Sequence, residues 1–99
     1  MHIKLINRGA EGEVLLEGRL DTNTSPEAEK VLLQLAERFE RLTLNFTELS
    51  YISSAGLRVL KRLYSAMAKK DGEVVLKNVN KMVMEVFEMT GFVSLFRFI

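Results

Sequence analysis

The feature that most limits what this chain can fold into is an alternation. Strand-length apolar runs take turns with helix-length amphipathic runs along 99 residues. Two strand-like runs come first, HIKLIN (His2–Asn7) and GEVLLEGRL (Gly12–Leu20), joined by the turn-forming RGAEG; they predict an antiparallel pair. TSPEAEKVLLQLAERFE reads as a helix. Ser25 stands as its cap before a first-turn proline, Pro26, and Glu27 and Glu29 suit the positive helix end. Ala28, Leu32, Leu35, Ala36 and Phe39 form one stripe at helical spacing. RLTLNF predicts another strand. The segment around Tyr51 is apolar and strand-like, and SAGLRVLKRLYSAMAKK then reads as a second helix with Val59, Leu60, Leu63 and Met67 on one face. Asp71-Gly72 turns the chain into the strand EVVLKN. KMVMEVFEMT predicts a third helix, capped by Asn80 and stopped by Gly91. SLFRFI closes as a short strand. Helices of this length between strands imply crossovers. The expected fold is α/β: one domain over residues 1–99, with a small mixed, mostly parallel sheet of about four to five strands packed with about three helices.

Composition narrows the function. An apolar fraction of 47% suits a packed core, and a net charge of +1 gives no general attraction to nucleic acid or an anionic membrane. With no cysteine there is no disulfide, thiol nucleophile or thiolate metal site. The N-terminal MHIKLINRGAEGE lacks a signal-peptide core, and no run approaches membrane-spanning length, so a soluble cytoplasmic domain is expected. The charge is uneven. Ser54–Lys70 carries Arg58, Lys61, Arg62, Lys69 and Lys70 and no acid, whereas Met1–Ser53 carries nine acids against six bases. The second helix is therefore either a solvated basic face or a partner surface.

Catalytic patterns are missing. His2 is the only histidine, which argues against a Ser-His-Asp triad. No glycine stands two residues before Ser53 or Ser54, as a nucleophile elbow requires. Gly9 and Gly12 lie in a turn, and no GKS or GKT follows them. No carboxylate–histidine set has metal-ligand spacing. The five methionines read first as soft core and second as an adaptable contact surface, with Met84 off the stripe of its helix and expected to be exposed. No enzyme activity, metal or cofactor is expected.

The stretch YISSAGLRVLKRL (Tyr51–Leu63) carries the remaining signal. Two serines stand where strand becomes helix. Either can cap, because a side-chain oxygen there accepts from the free N–H groups of the first turn. Either can also be a phosphorylation site. A phosphate adds about −1.5 to −2 charges, and a helix N-terminus accommodates it. The small Ala55 and Gly56 let a partner or a kinase come close.

LTLNFTELSYISSAGLRVL (Leu42–Leu60) resembles the signature of the STAS domain family, in particular its anti-sigma-factor antagonists. Their pattern is an apolar strand ending in an acid, a short connection, then Ile-Asp-Ser-Ser/Thr-Gly-Leu opening a helix. EGRLDTNTSPEAEKVL resembles the family's Gly-x-Leu-Asp segment and first helix, with Asp21 and Thr22 at the matching positions. VFEMTGFVSLFRFI resembles its closing helix, glycine and last strand. By this resemblance the family's phosphorylated serine falls on Ser54 and its glycine on Gly56. Three positions depart: Ser53 stands where many members have Asp, Ala55 where many have Ser or Thr, and Asn45 where the strand often ends in Asp. The surroundings of Ser54 are thus less negative, with less repulsion of a phosphate and one fewer acceptor to orient the hydroxyl.

The resemblance implies a binding module that is not an enzyme. Its partners would be an anti-sigma factor, often a serine-protein kinase, whose capture releases a sigma factor, and a phosphatase that resets the switch. The kinase would modify Ser54 with its own ATP and magnesium; no direct nucleic acid or membrane contact is implied. The expected partner surface comprises Asp21, Thr22 and Asn23, the junction Ser53, Ser54, Ala55 and Gly56, and Arg58 and Lys61. Two other readings stay open. One is a STAS module of another assembly, such as a stress-signalling scaffold or a lipid-transporter subunit, with Ser54 only a cap. The other is a nucleotide or small-molecule site at the same helix end.

Overall fold

The computed structural model describes residues 1–99, and its element order follows the alternation in the sequence. Strands β1 (His2–Arg8) and β2 (Glu11–Leu20) precede helix α1 (Ser25–Arg38). Strands β3 (Arg41–Asn45) and β4 (Leu49–Ile52) lead into α2 (Ser54–Ala68). Then come β5 (Glu73–Lys77), α3 (Lys81–Thr90), a 3-10 turn over Phe92–Leu95, and β6 (Arg97–Phe98). The strands form one six-stranded sheet in the order β1-β2-β3-β5-β6, with β4 paired to β2. Only β1–β2 is antiparallel. The β2–β3, β2–β4, β3–β5 and β5–β6 pairs are parallel. The mixed, mostly parallel α/β architecture expected from the sequence is what forms, with one more strand than the upper expectation. No helix is long and apolar enough to cross a membrane.

Alternation along the strands sorts the two sheet faces. Val14, Leu16, Leu42, Leu44, Val74 and Leu76 are buried in one continuous core with Leu32, Leu35, Leu60, Leu63, Val83 and Phe87 of the helices. Phe87 anchors one end of this core. Its ring meets Phe96 and Phe98 edge-on at centroid distances of 5.9 and 5.6 Å.

The opposite face holds no part of this core and is laced with ion pairs. Register places Arg8, Glu11, Arg41 and Glu73 side by side across four strands, alternating in sign. Arg41 bonds Glu11 at 2.8 Å and Glu73 at 2.6 Å, and both carboxylates push its guanidinium pKa further up. Glu13 is nearly buried between Arg8 at 3.4 Å, Lys77 at 3.7 Å and the Asn45 amide at 3.2 Å.

Several local expectations need correction. Ser25 is not the cap of α1. Thr24 holds that position without a side-chain capping bond, Ser25 is the first helical residue, and the Ser25 hydroxyl donates back to the Asp21 carbonyl. The first two helices stop at Arg38 and Ala68, about two residues short of the sequence reading. SLFRFI is not a continuous strand. Gly91 ends α3 at φ +79°, a left-handed conformation that glycine adopts without a Cβ penalty, and the chain then curls through Phe92–Leu95. Met84 is half-buried; the exposed methionines of α3 are Met82 and Met89. Asn80 does cap α3, accepting from the Val83 N–H at 2.8 Å.

Candidate functional site

Parallel pairing of β2 with β4 brings two helix starts together. Leu20 stands opposite Ile52, the last residues of their strands. The Ser53 N–H donates to the Leu20 carbonyl at 2.9 Å, so the chain leaves both strands at the same end of the molecule.

The β2–α1 connection is held by Asp21. Its Oδ1 accepts from the backbone N–H groups of Asn23 at 3.0 Å and Thr24 at 3.1 Å. The Thr24 hydroxyl in turn accepts from the Asp21 N–H and donates to the Arg19 carbonyl. Asp21 therefore organises the turn, doing for α1 what a side-chain cap does elsewhere. The Thr24 N–H is the main cause holding its carboxyl below the ordinary value of 3.8. Desolvation opposes this, while the Asn23 N–H, the Thr24 hydroxyl and Arg19 add to it. A depressed folded pKa means that the unfolded chain takes up more protons as pH falls. This stabilisation is complete above the unfolded pKa and is lost as pH drops through the folded one. Stability should therefore fall below about pH 4. Asp21→Asn removes that titration, so its acid unfolding curve, followed by circular dichroism, is expected to be flatter in that range. Parallel curves for the two chains would show that Asp21 does not contribute.

At the β4–α2 junction the two serines divide the work. Ser53 is the N-cap: its Oγ accepts from the Gly56 N–H at 3.3 Å, and its carbonyl accepts from Leu57. Ser54 is the first helical residue, exposed, with no hydrogen bond to its hydroxyl within the chain. The sequence left the capping role open between the two; the backbone assigns it to Ser53. Gly56 is buried where α2 crosses the strand ends. A Cβ there would lie 2.8 Å from the Leu20 carbonyl oxygen and Cγ, and 2.9 Å from Ile52 Cγ1.

The nine expected surface residues differ in where the fold puts them. Thr22, Ala55 and Arg58 line one groove between α1 and α2, about 260 Å³ in volume, beside Ser54. Asn23 lies instead on a larger hollow between the start of β1 and α1. Lys61 sits a turn further along α2, with its Nζ 6.0 Å from the Phe92 ring centroid. Asp21 is taken up by the turn, and Gly56 is buried under it. Two groups emerge that the sequence reading had not placed at the site. Glu29 of α1 pairs with Arg62 of α2 across the groove, and Arg19 stacks 4.2 Å from the centroid of Tyr51. Glu29 had read only as a first-turn acid, and nothing in linear spacing pairs it with a residue 33 positions away. No group of three or more His, Asp or Glu side chains is placed to hold a metal ion.

The family model described as the STAS domain matches residues 6–99. The chain belongs to the STAS domain family. This STAS domain is 37% identical to BtrV of Bordetella bronchiseptica, named as an anti-sigma factor antagonist, over 82% of this chain and 71% of that one. Its fold is that of a solved Thermotoga maritima chain with the same designation, at TM-score 0.90 and 14% identity, covering 97% of this chain and 84% of that one. It also matches the anti-sigma factor antagonist SpoIIAA in its unphosphorylated form, at TM-score 0.78 and 16% identity, covering 99% and 87%. The phosphorylated form of Bacillus SpoIIAA matches at 0.77, with 17% identity and coverage of 99% and 91%. The STAS domain thus stands among regulators by sequence and shares their fold.

Proposed function

We propose that this STAS domain is a cytoplasmic anti-sigma-factor antagonist, switched by phosphorylation of Ser54. In the unmodified state it binds an anti-sigma factor that is also a serine kinase, and a sigma factor is released. The kinase passes the γ-phosphoryl group of ATP to the Ser54 Oγ, ADP leaves, and the hydroxyl proton goes to the kinase's base. The modified domain dissociates, and a phosphatase restores it.

One observation carries the reading: the exposed, unbonded Ser54 hydroxyl at the start of α2, with capping already done by Ser53. A phosphate can be added there without breaking the cap. The positive helix end and its free N–H groups favour the added charge, so the fold survives while the docking surface changes. The likeness to a relative named as an anti-sigma factor antagonist supports the same reading.

The test is phosphosite mapping by mass spectrometry. The chain and its Ser54→Ala variant are incubated with ATP, magnesium and serine kinases from the same source. One phosphate on Ser54, absent from the variant, is the expected result. No phosphate from any kinase, together with tight binding to a scaffold or transporter subunit, would overturn the proposal.

A further inference from the structure

We infer that Arg58 receives the phosphate on Ser54, so that the modification withdraws a guanidinium from the surface as well as adding negative charge. The inference rests on the modification of Ser54 proposed above.

The basic side chains of α2 and its end are not equivalent. Arg62 is held by Glu29 of α1. Lys61 lies over the Phe92 ring, and the Lys70 Nζ donates to the Ala36 carbonyl at 2.6 Å. Lys69 sits at the far end of the helix. Arg58 is exposed and makes neither an ion pair nor a hydrogen bond, and it stands four residues after Ser54. Residues at that spacing are neighbours on a helix surface, about 5–6 Å apart at Cβ. The acidic partner would be the N-terminal one, the sense that also agrees with the helix dipole.

The surroundings leave Arg58 free to respond. Glu29 is the only carboxylate lining its groove, and Arg62 already neutralises it. These two are the other charged groups facing that space. A phosphate offers three acceptor oxygens, and a guanidinium engages two at once. Lysine has no equivalent geometry.

The test installs phosphoserine at position 54 during synthesis, so that no kinase is involved. The second ionisation of the phosphate, ordinarily near pH 6, is then followed by phosphorus NMR in the full chain and in Arg58→Gln and Lys61→Gln. The value is expected to lie about half a unit lower in the parent than in Arg58→Gln, and to be nearly unmoved in Lys61→Gln. Equal values in the parent and Arg58→Gln would overturn the inference, as would equal rises in both variants, which signal a general charge effect. Thermal melts confirm that the variants are folded. If Arg58→Gln does not fold, Arg58→Lys serves in its place, with a smaller rise expected. Failure of the kinase experiment with success here would sink the proposed function and leave the pairing standing. The reverse outcome would remove only the role of Arg58.

Discussion

Phosphate on Ser54 is expected to weaken binding to the anti-sigma factor by two to three powers of ten, a loss of about 3–4 kcal/mol. The argument is electrostatic and local. Before modification, a partner meets a small neutral hydroxyl with the buried Gly56 and half-buried Ala55 beside it. Afterwards it meets a doubly charged group that must be desolvated or displaced. Isothermal titration of the modified and unmodified chains measures the difference. Ser54→Asp carries half the charge and no tetrahedral oxygens, so about half the loss is expected, roughly tenfold or somewhat more. Its thermal stability should hold or rise, because an acid at the first helical position favours the dipole. Undiminished binding of both forms would place the docking surface elsewhere. A fall in melting temperature along with the affinity would point to damage rather than switching.

Gly56→Ala is expected to cost about 2 kcal/mol of folding stability, lowering the melting temperature by about 10 °C. The methyl group would meet a backbone oxygen and a leucine branch at 2.8 Å. A flexible side chain can swing away from such a contact; the Leu20 carbonyl cannot, because it accepts the Ser53 N–H that joins the two strand ends. Relief would require α2 to shift off the sheet, carrying Ser54 and Arg58 with it. Partner binding should therefore weaken together with stability in this variant, in contrast to Ser54→Asp. A melting temperature within about 2 °C of the parent's would show that the crossing is looser than these distances imply.

How much of this was legible in the chain depended on the range of the forces involved. Pro26, Asn80 and Gly91 announced helix ends because capping and backbone strain act within a few residues. The core stripes of α1 and α2 were legible because burial repeats with the helical period. β4 was harder to separate. Its buried residues, Leu49 and Ile52, are three apart, and its register against β2 shifts at Gly18 and Arg19, so the alternation that marks a strand is broken. The last strand forms, but only over Arg97–Phe98, and it is shortened for a different reason. Phe96 belongs to the core and Phe98 packs against it, but the left-handed Gly91 sends the residues before them into a 3-10 turn. At the site, Ser53, Ser54 and Gly56 could be found from local order. That Thr22 shares a groove with Arg58 follows from the β2–β4 pairing and from no pattern in the sequence around either residue.

The helix-free side of the sheet has a consequence for how any partner arrives. Its charges cancel in rows, as in Arg8, Glu11, Arg41 and Glu73, so a macromolecule at a distance feels little from that direction. Ser54–Lys70 on the other side carries bases alone. The positive field is therefore local to α2, since α1 and α3 beside it each carry one more acid than base, and an acidic segment of a partner would be drawn to α2 at short range. Encounter with such a partner would be fast at low ionic strength and slow as salt rises, and a phosphate on Ser54 would dull the field at the end where docking begins.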